Sequence, residues 1–494
     1  MKIGIWQKAL KEELQCFEEN QAWELVDAPN SGCVVQCKWV LKKKCDVDGK
    51  VLYRARLVAK SFTQRYGVDY NETFFPVVRY STLRLLFALT VKLDFKTTHL
   101  DVKTVFLNGH LEEDIFMQKP DCFGDLNDGK VLKLKKAIYG LKQSSRMWYK
   151  KVDDCLCNIG YKKSKYEPCL FIKRNKKCVT VIALYVDDFF IFSNDCNEVI
   201  NLKKYLENNF KIKDLGTIRQ CLGMRVVCNN NSVTLDQGGY IDQLLGKFNM
   251  LDCYTSNTPM ECKLNLSIDN KCDISIPYQC LIGSLMYLSV LTRPDISVSY
   301  MSQFNNCFTK KHWGHAKRIL RYLKKTKHYA LKYDSKLNSE IIGYVDADWG
   351  SDVISRRSYT GYVFKLSGAA ISWESKKQKV VALSSTEAEY IGISECCKEA
   401  LYLQNLQCEI TDDLYTIILY NDNQSAQKLL FNPVFHNKSK HIDIRFHFCK
   451  EIIAQKLINV QYLCTADMPA DLLTKSLSSI KHKVFVNAVG LIER

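Results

Sequence analysis

The sequence predicts a mixed α/β chain of the α+β type, organised in several domains. Its 494 residues exceed what one ordinary hydrophobic core can organise. Short apolar runs rich in β-branched and aromatic residues, typical of buried strands, occur between segments whose apolar residues recur at helical spacing. Several of the strand-like runs end in aspartate. These carboxylates indicate where the chemistry of the chain should lie.

The composition favours a polyanionic partner. Lys and Arg outnumber Asp and Glu by 70 to 53, a net charge of +17, and such an excess suits nucleic acid. The 22 cysteines are scattered through apolar and helical stretches, which predicts reduced intracellular thiols rather than disulfides. No uninterrupted apolar run has the length needed to span a membrane, so no membrane partner is expected.

The first sixty residues predict a helix and a basic β-hairpin. Apolar residues between Trp6 and Asn20 recur at helical spacing, and two strand-like segments follow, joined by a turn signal at residues 46–49. Most cations of the hairpin are compatible with a simple solvated face. Arg56 and Lys60 lie among apolar residues, where an unpaired charge is costly, and are candidates for binding a triphosphate.

Two adjacent carboxylates interrupt the apolar run at residues 179–193. The flanking segments predict a hairpin with Asp187 and Asp188 at its tip. Like charges this close are unfavourable unless a cation neutralises them, and hard oxygen ligands suit Mg²⁺ or Mn²⁺. Asp101, at the end of another strand-like run, would complete a two-metal site. An Asp-Asp turn that binds no metal is the alternative interpretation.

Two helices are predicted in the region of these carboxylates. One runs from Ser81 to Lys92 with Ser81 or Thr82 as its cap. The other begins near Ser144, and its N-terminus, together with the side chains around it, is placed to meet phosphate.

A linker and a basic helix follow. Residues 250–280 have the composition of a linker. Beyond them lies a helix with an apolar stripe, and its other face carries cations that suit either solvent or a phosphate backbone. The nucleic-acid-binding candidates on this face are Lys317, Arg318, Arg321 and Lys324.

A second set of carboxylates lies in the last third of the chain. Asp346 and Asp422 end strand-like runs, Glu389 lies in a long helix predicted to be capped by Ser385 or Thr386, and Asp471 lies in a short helix. Four carboxylates that converge from separate elements require divalent cations. Such a set suits metal-assisted hydrolysis of phosphodiesters.

Eleven motifs in chain order carry a family resemblance. They are YRARLVAKSFTQ, DVKTVFLNG, YGLKQSSRMWY, LYVDD, RPDIS, HWGHAKRILRYLK, DADW, SSTEAEY, NDNQSA, KHIDIRFHF and PADLLTK. Together they resemble the reverse transcriptase and ribonuclease H region of copia-type LTR retrotransposon Pol polyproteins. The resemblance covers the chain from about Trp6 to Leu477.

The resemblance implies a right-hand polymerase fold, with fingers, palm and thumb, followed by a connection segment and a ribonuclease H-like mixed-sheet domain. The implied boundaries are fingers and palm over 1–248, linker and helical thumb or connection over 249–335, the ribonuclease H-like domain over 336–480, and a C-terminal tail over 481–494. Ser61 and Ser145 depart from the family pattern, which usually has Gly and commonly Pro at these positions.

The resemblance also implies roles for individual residues. Asp101, Asp187 and Asp188 would hold two Mg²⁺ ions, with Mn²⁺ as an alternative. The second site would hold two ions on Asp346, Glu389, Asp422 and Asp471, with Glu389 preferred to Glu387 because its Glu-Tyr step matches the family pattern. Phe106 would face the ribose 2′-hydroxyl, Gln143 the nascent base pair, and Arg56 with Lys60 the triphosphate.

The implied function is an RNA-directed DNA polymerase with ribonuclease H activity. Its expected partners are an RNA template, a DNA primer, an RNA–DNA hybrid, deoxynucleoside triphosphates, and other Pol and Gag products. The expected location is intracellular, in a cytoplasmic virus-like particle with access to the nucleus. The competing hypothesis is a catalytically inactive or host-recruited remnant that only binds nucleic acid.

Overall fold

The computed structural model describes residues 2–29, 34–45, 51–121, 123, 128–262, 264, 266, 273, 275–338, 340–352, 355–431 and 440–494. They form two compact units, Met1–Val78 with Thr98–Gly216 and Arg79–Thr97 with Thr217–Arg494. The turn predicted at residues 46–49 lies outside the described residues. The four-part domain division implied by the sequence stays a prediction.

Antiparallel hairpins and a six-stranded sheet form the first unit, whose sheet orders are β12-β5-β11-β10-β9-β8 and β1-β7-β6-β2, with β3 and β4 as a separate pair. The strands are β1 Trp23–Asp27, β2 Val34–Val35, β3 Cys37–Cys45, β4 Val51–Ala59, β5 Lys96–Val102, β6 His110–Met117, β7 Lys130–Lys136, β8 Lys162–Lys163, β9 Leu170–Asn175, β10 Cys178–Tyr185, β11 Asp188–Ser193 and β12 Ile212–Gly216. The helices up to this point are α1 Lys2–Glu19, α2 Tyr80–Leu93, α3 Ser144–Asn158 and α4 Cys196–Asn209, of which α2 belongs to the second unit.

The hairpin of β10 and β11 confirms the predicted position of the first acidic pair. Tyr185 pairs with Asp188, so Val186 and Asp187 form a two-residue turn. Val186 has φ +55°, a left-handed conformation that is strained for a β-branched residue. Its carbonyl oxygen accepts a hydrogen bond of 2.6 Å from Nε1 of Trp148, which helps to hold the turn in place.

The strands behind this turn are almost wholly apolar and buried. Phe189, Phe190, Ile191 and Phe192 are each 0% exposed. Burial of such a side chain contributes about 1.5–3 kcal/mol. The carboxylates at the tip therefore stand on a rigid support.

The second unit contains two five-stranded sheets with the orders β13-β14-β15-β16-β22 and β19-β18-β17-β20-β21. The strands are β13 Gln220–Cys221, β14 Met224–Asn229, β15 Ser232–Asp236, β16 Tyr329–Asp334, β17 Ile342–Ala347, β18 Tyr359–Leu366, β19 Ala369–Lys377, β20 Ile417–Asn421, β21 Ile458–Tyr462 and β22 Leu491–Glu493. The helices are α5 Gly238–Lys247, α6 Tyr278–Leu291, α7 Ser299–Ser302, α8 Lys310–Lys325, α9 Ser385–Thr411, α10 Gln424–Phe431, α11 Lys440–Ala454, α12 Asp471–Thr474 and α13 Ser479–Ala488. Short 3-10 turns occur at Ser61–Thr63, Val105–Asn108, Pro294–Ile296 and Thr465–Asp467.

The mixed sheet determines where the second carboxylate set meets. β17 is antiparallel to β18 but parallel to β20, and β20 is parallel to β21. The carboxyl ends of β17 and β20 therefore lie at the same edge of the sheet, and helix α9 packs against β17 and β18. This topology brings Asp346 and Asp422 to one place.

Two predicted helix caps are wrong. Helix α9 is capped by Ser384, whose Oγ accepts a hydrogen bond of 3.2 Å from the amide of Glu387, rather than by Ser385 or Thr386. Helix α2 begins at Tyr80, and Ser81 and Thr82 are buried inside its first turn. At α9 three residues that suit a cap are adjacent, whereas at α2 the cap position is Arg79, whose side chain makes no capping hydrogen bond.

Two further properties concern the whole described chain. In the described ranges, no helix combines the length and apolar character that crossing a membrane requires. The cysteines whose side chains are described are free thiols.

A buried ion pair lies in the second unit. Arg293 and Asp295 are each 1% exposed, and two guanidinium nitrogens donate to the two carboxylate oxygens at 2.9 and 2.8 Å. Tyr322 of α8 donates to the same carboxylate at 2.6 Å, and Arg293 also donates to the carbonyl oxygen of Thr326 at 3.1 Å. Every strong polar group of this network is thus satisfied.

We expect Asp295→Asn to destabilise the chain by about 3–5 kcal/mol, because the Arg293 guanidinium would stay buried without a compensating charge. The matched control is Glu12→Gln, which breaks an exposed pair with Lys8 at 4.0 Å and should change stability by at most about 0.5 kcal/mol. Urea denaturation followed by tryptophan fluorescence measures both. Equal unfolding midpoints for the two variants would contradict this assignment.

Candidate metal centres and nucleic-acid surface

Three predicted carboxylates lie close together in the first unit. Asp101 lies near the end of β5, next to β11 in the sheet, and Asp187 and Asp188 lie at the hairpin tip. Burial, and then the charge of Asp188, raise the pKa of Asp101 and the pKa of Asp187 above their usual value. The carboxylates are close enough to repel one another, and a divalent cation would relieve that repulsion.

His99 is a residue of this region that the sequence analysis missed. Its Nε2 atom lies 2.7 Å from Oδ1 of Asp188, and its ring centroid lies 4.8 Å from that of Phe190. His99 precedes Asp101 by two residues on β5, so both belong to the same face of the strand. This alternation is the sequence signal that could have identified it.

A cation and two aromatic rings line a small cleft in the same unit. The Arg56 guanidinium carbon lies 4.2 Å from the centroid of the Tyr139 ring, and the Phe106 ring packs edge-on against that ring at 4.7 Å. Burial raises the pKa of Asp187, and the charge of Arg56 acts in the opposite direction. The structure thus places Arg56 and Phe106 together and near the acidic pair.

A close backbone contact holds this cleft. The amide of Ala59 donates to the carbonyl oxygen of Tyr139 at 2.8 Å. Gly140 permits this approach, since it has φ +97° and an added Cβ atom would lie 2.1 Å from the carbonyl oxygen of Ala59. Lys60 is absent from the lining of the cleft, and its Nζ donates to Oε1 of Gln36 at 3.1 Å.

Gln143 is completely buried. Its Nε2 donates to the carbonyl oxygen of Asp69 at 2.8 Å, and its Oε1 accepts from Gln64 at 3.0 Å. Helix α3 begins at Ser144, as predicted, directly after this residue. Gln143 therefore joins the segment at residues 64–69 to the start of α3, and its predicted place against a base pair stays a prediction.

Three carboxylates of the second set converge in the second unit. One oxygen from each of Asp346, Glu389 and Asp422 lies within 4.8 Å of the others, and in the described part of the chain no other three His, Cys, Asp or Glu residues do so. Nδ2 of Asn421 donates to Oε2 of Glu389 at 3.0 Å, and Oγ1 of Thr465 donates to Asp422 at 2.7 Å. The amide and the hydroxyl orient these carboxylates.

The charge state of this cluster indicates a cation site. Burial, followed by the charges of Asp346 and Asp422, raises the pKa of Glu389 to about 9. Burial raises the pKa of Asp346 to about 6, against the opposing effect of Lys475. Three hard oxygen donors that resist simultaneous ionisation fit a bound Mg²⁺ or Mn²⁺.

The structure separates the two candidate glutamates. Glu389 is 5% exposed and belongs to the cluster. Glu387 lies two residues earlier, is half-buried, and accepts a hydrogen bond of 2.8 Å from the amide of Leu383. Glu387 therefore acts at the helix start.

Asp471 has a different environment from the other three. Its Oδ1 accepts from Nζ of Lys475 at 2.7 Å, its Oδ2 accepts from Nζ of Lys481 at 2.6 Å, and Lys475 also contacts Oδ1 of Asp346 at 2.9 Å. The four predicted carboxylates thus divide into a group of three and Asp471, which is joined to them through Lys475. Lys475 was not among the predicted site residues. Its position four residues after Asp471 is the sequence signal that could have identified it.

The basic face of α8 is partly occupied by the chain itself. Arg318 donates to Glu261 at 3.0 Å, and Lys324 donates to the carbonyl oxygen of Cys253 at 2.7 Å. Lys317 lies over the ring of Trp313, 5.8 Å from its centroid. The segment at residues 253–261 therefore covers part of this face, and the binding role of Lys317, Arg318, Arg321 and Lys324 stays a prediction.

Comparisons with known proteins identify relatives over nearly the whole chain. A family model described as reverse transcriptase (RNA-dependent DNA polymerase) matches residues 20–262. The Pol polyprotein from transposon TNT 1-94 of Nicotiana tabacum is 39% identical over 98% of this chain and 38% of that protein. The Pol polyprotein from transposon RE1 of Arabidopsis thaliana is 36% identical over 99% of this chain and 34% of that protein. The putative transposon Ty5-1 protein of Saccharomyces cerevisiae is 33% identical over 61% of this chain and 100% of that protein.

Solved structures share low sequence identity with the chain. A foamy viral protease-reverse transcriptase in complex with double-stranded DNA has TM-score 0.49 and 13% identity, covering 93% of this chain and 69% of that one. The LC11 ribonuclease H1 isolated from compost has TM-score 0.22 and 16% identity, covering 28% of this chain and 93% of that one. The chain spans about two fifths or less of the length of the TNT 1-94 and RE1 polyproteins.

The raised pKa of Glu389 predicts how the metal-free chain responds to pH. The folded state binds this proton more tightly than the unfolded state, so the free energy of unfolding should fall as pH rises from 4.5 towards about 9. Glu389→Gln should remove most of this fall and stabilise the metal-free chain at pH 8 by about 1–3 kcal/mol. Denaturation at several pH values in a chelator tests this.

Glu387→Gln is the matched control, because the same change is made two residues away at a position outside the carboxylate cluster. It should leave the pH dependence unchanged. If Glu389→Gln also leaves it unchanged, the carboxylates do not repel one another as described.

Proposed function

Because the chain belongs to the reverse transcriptase family of copia-type retrotransposon Pol polyproteins, we propose that it is an RNA-directed DNA polymerase with ribonuclease H activity. One observation carries the proposal. Each compact unit contains its own carboxylate centre, with Asp101, Asp187 and Asp188 in the first and a cluster around Asp346 in the second. Two separate centres suit two reactions on phosphate.

The first centre is proposed to extend a DNA primer. Asp101, Asp187 and Asp188 would hold two divalent ions, which, when bound, lower the pKa of the primer 3′-hydroxyl and neutralise charge on the leaving pyrophosphate. The hairpin keeps Asp187 and Asp188 in fixed positions. His99 orients Asp188 through its 2.7 Å contact.

The cleft beside this centre is proposed to bind the incoming deoxynucleotide. Arg56 supplies a cation for the triphosphate from a position already fixed against Tyr139. Phe106 closes the cleft with an apolar ring that leaves no partner for a ribose 2′-hydroxyl, which favours deoxyribose. Lys60 would join the triphosphate by leaving Gln36.

The second centre is proposed to hydrolyse the RNA strand of an RNA–DNA hybrid. Asp346, Glu389 and Asp422 would hold the metal at the edge of the mixed sheet, and Asp471 would support it through Lys475. Asn421 and Thr465 keep the carboxylates oriented. An RNA template, a DNA primer and their hybrid are the proposed partners, which the net charge of +17 supports.

We expect Asp187→Asn to reduce primer extension on an RNA template in Mg²⁺ by roughly a thousandfold, because it removes a metal ligand of the first centre. Asp195→Asn is the matched control. Asp195 caps helix α4 by accepting from the amides of Asn197 and Glu198, and asparagine caps equally well, so activity should persist. Extension that does not respond to Asp187→Asn would exclude the polymerase assignment.

For the nuclease, the pair Glu389→Gln and Glu387→Gln gives the sharpest comparison. Cleavage of RNA in a hybrid should fall by roughly a hundredfold or more in the first variant and persist in the second, since only Glu389 lies in the cluster. Primer extension should survive in both. Equal loss of cleavage in the two variants would show that Glu389 has no special role.

A further inference from the structure

Lys475 occupies the space between two buried carboxylates in the second unit. The side chains of Asp346 and Asp471 are each 1% exposed, and one ammonium group contacts both, at 2.9 and 2.7 Å. The carboxylates come from β17 and α12, so Lys475 joins two separate elements. A cation that bridges buried carboxylates from two elements stands where a divalent ion would otherwise be required.

The remaining oxygens of this pair are also occupied. Oδ2 of Asp346 accepts from the hydroxyl of Thr474, and Oδ2 of Asp471 accepts from Nζ of Lys481 at 2.6 Å. Both oxygens of Asp471 are therefore bound by ammonium groups. A metal ion at Asp471 would therefore lie beside two ammonium groups, whose charge opposes its binding until a lysine moves.

Asp346 faces two cation positions at once. It belongs to the group with Glu389 and Asp422, whose oxygens lie within 4.8 Å of one another, and it also contacts Lys475. Among the described residues, no lysine contacts Glu389 or Asp422, whereas Lys475 lies between Asp346 and Asp471. The two positions of the centre therefore differ in what a metal ion must displace.

Lys475 has room to move. Its side chain is 37% exposed, and it follows the last residue of α12 in an extended backbone conformation. A cavity of about 390 Å³ adjoins it and is lined by Asp348, Tyr359, Thr474 and Lys475 among others. The flexible stem of a lysine can carry its ammonium group into this space.

We infer that Lys475 is a built-in cation of the second centre. With Lys475 in place the centre binds one divalent ion, on Asp346, Glu389 and Asp422, and it binds a second ion at Asp471 only when Lys475 is displaced. This inference rests on the proposed metal site at Asp346. Lys475 is a positioning residue, since it acts through Asp346 and Asp471.

The test counts Mn²⁺ ions bound to the full chain by calorimetric titration and by electron paramagnetic resonance. All proteins carry Asp187→Asn and Asp188→Asn, so that the first centre does not contribute. We expect one bound ion in this background and two in Lys475→Met, with the second ion bound roughly tenfold or more tightly than in the background. Lys475→Arg, which keeps the charge, should still bind one.

Lys481→Met is the matched control. It makes the same substitution beside the same carboxylate but leaves the Lys475 bridge intact, so one ion is expected. Lys475→Gln replaces Lys475→Met if the latter fails to unfold cooperatively on heating. Equal ion counts and affinities in Lys475→Met and the background, or weaker binding in Lys475→Met, would overturn the inference.

Asp346→Asn in the same background separates this inference from the proposed function. Loss of Mn²⁺ binding in Asp346→Asn together with an unchanged count in Lys475→Met leaves the metal site standing and removes only the role of Lys475. Unchanged Mn²⁺ binding in Asp346→Asn overturns the metal site and the inference with it.

Discussion

The repulsion between buried carboxylates is the constraint on which the second unit depends. Asp346 and Glu389 are almost fully buried, and their oxygens lie within a few ångströms of each other. Desolvation and mutual repulsion both oppose their ionisation. Surrounding polar groups offset part of this energetic cost. The amide of Asn421 donates a hydrogen bond to Glu389, and the ammonium group of Lys475 donates one to Asp346. A rigid sheet is needed to hold such an arrangement, because a flexible one would separate the charges.

Carboxylates also repel one another in the first unit, but there they are more exposed to solvent. Asp188 is partly exposed and lies against His99, while the charge of Arg56 acts on Asp187. Water and neighbouring cations weaken the repulsion between these carboxylates, so the carboxylates need fewer fixed hydrogen-bond partners. The strain of the turn, visible in the positive φ of Val186, is carried by the buried strands behind it.

Local patterns predicted much of this arrangement. The hairpin at Asp187 follows from two apolar runs around a polar break, and the strand-end position of Asp346 follows from the same reasoning. Two features depended on distant residues and could not be read from local patterns: the contact between Lys475 and Asp346, and the covering of α8 by residues 253–261. The cap at Ser384 was missed for a different reason, since Ser384, Ser385 and Thr386 are adjacent and all suit an N-cap.

The buried pair of Arg293 and Asp295 connects the stability of the second unit to its site. A buried ion pair often adds no more stability than apolar packing would, and this one links the two ends of the turn at Pro294–Ile296 to Thr326 and Tyr322. The turn packs against α12, and Ser297 directly after it donates to the carbonyl oxygen of Leu473 at 3.2 Å. Leu473 lies between Asp471 and Lys475 in the sequence. The ion pair is therefore connected, through this turn and Ser297, to the short segment from which Asp471 and Lys475 reach the carboxylate cluster.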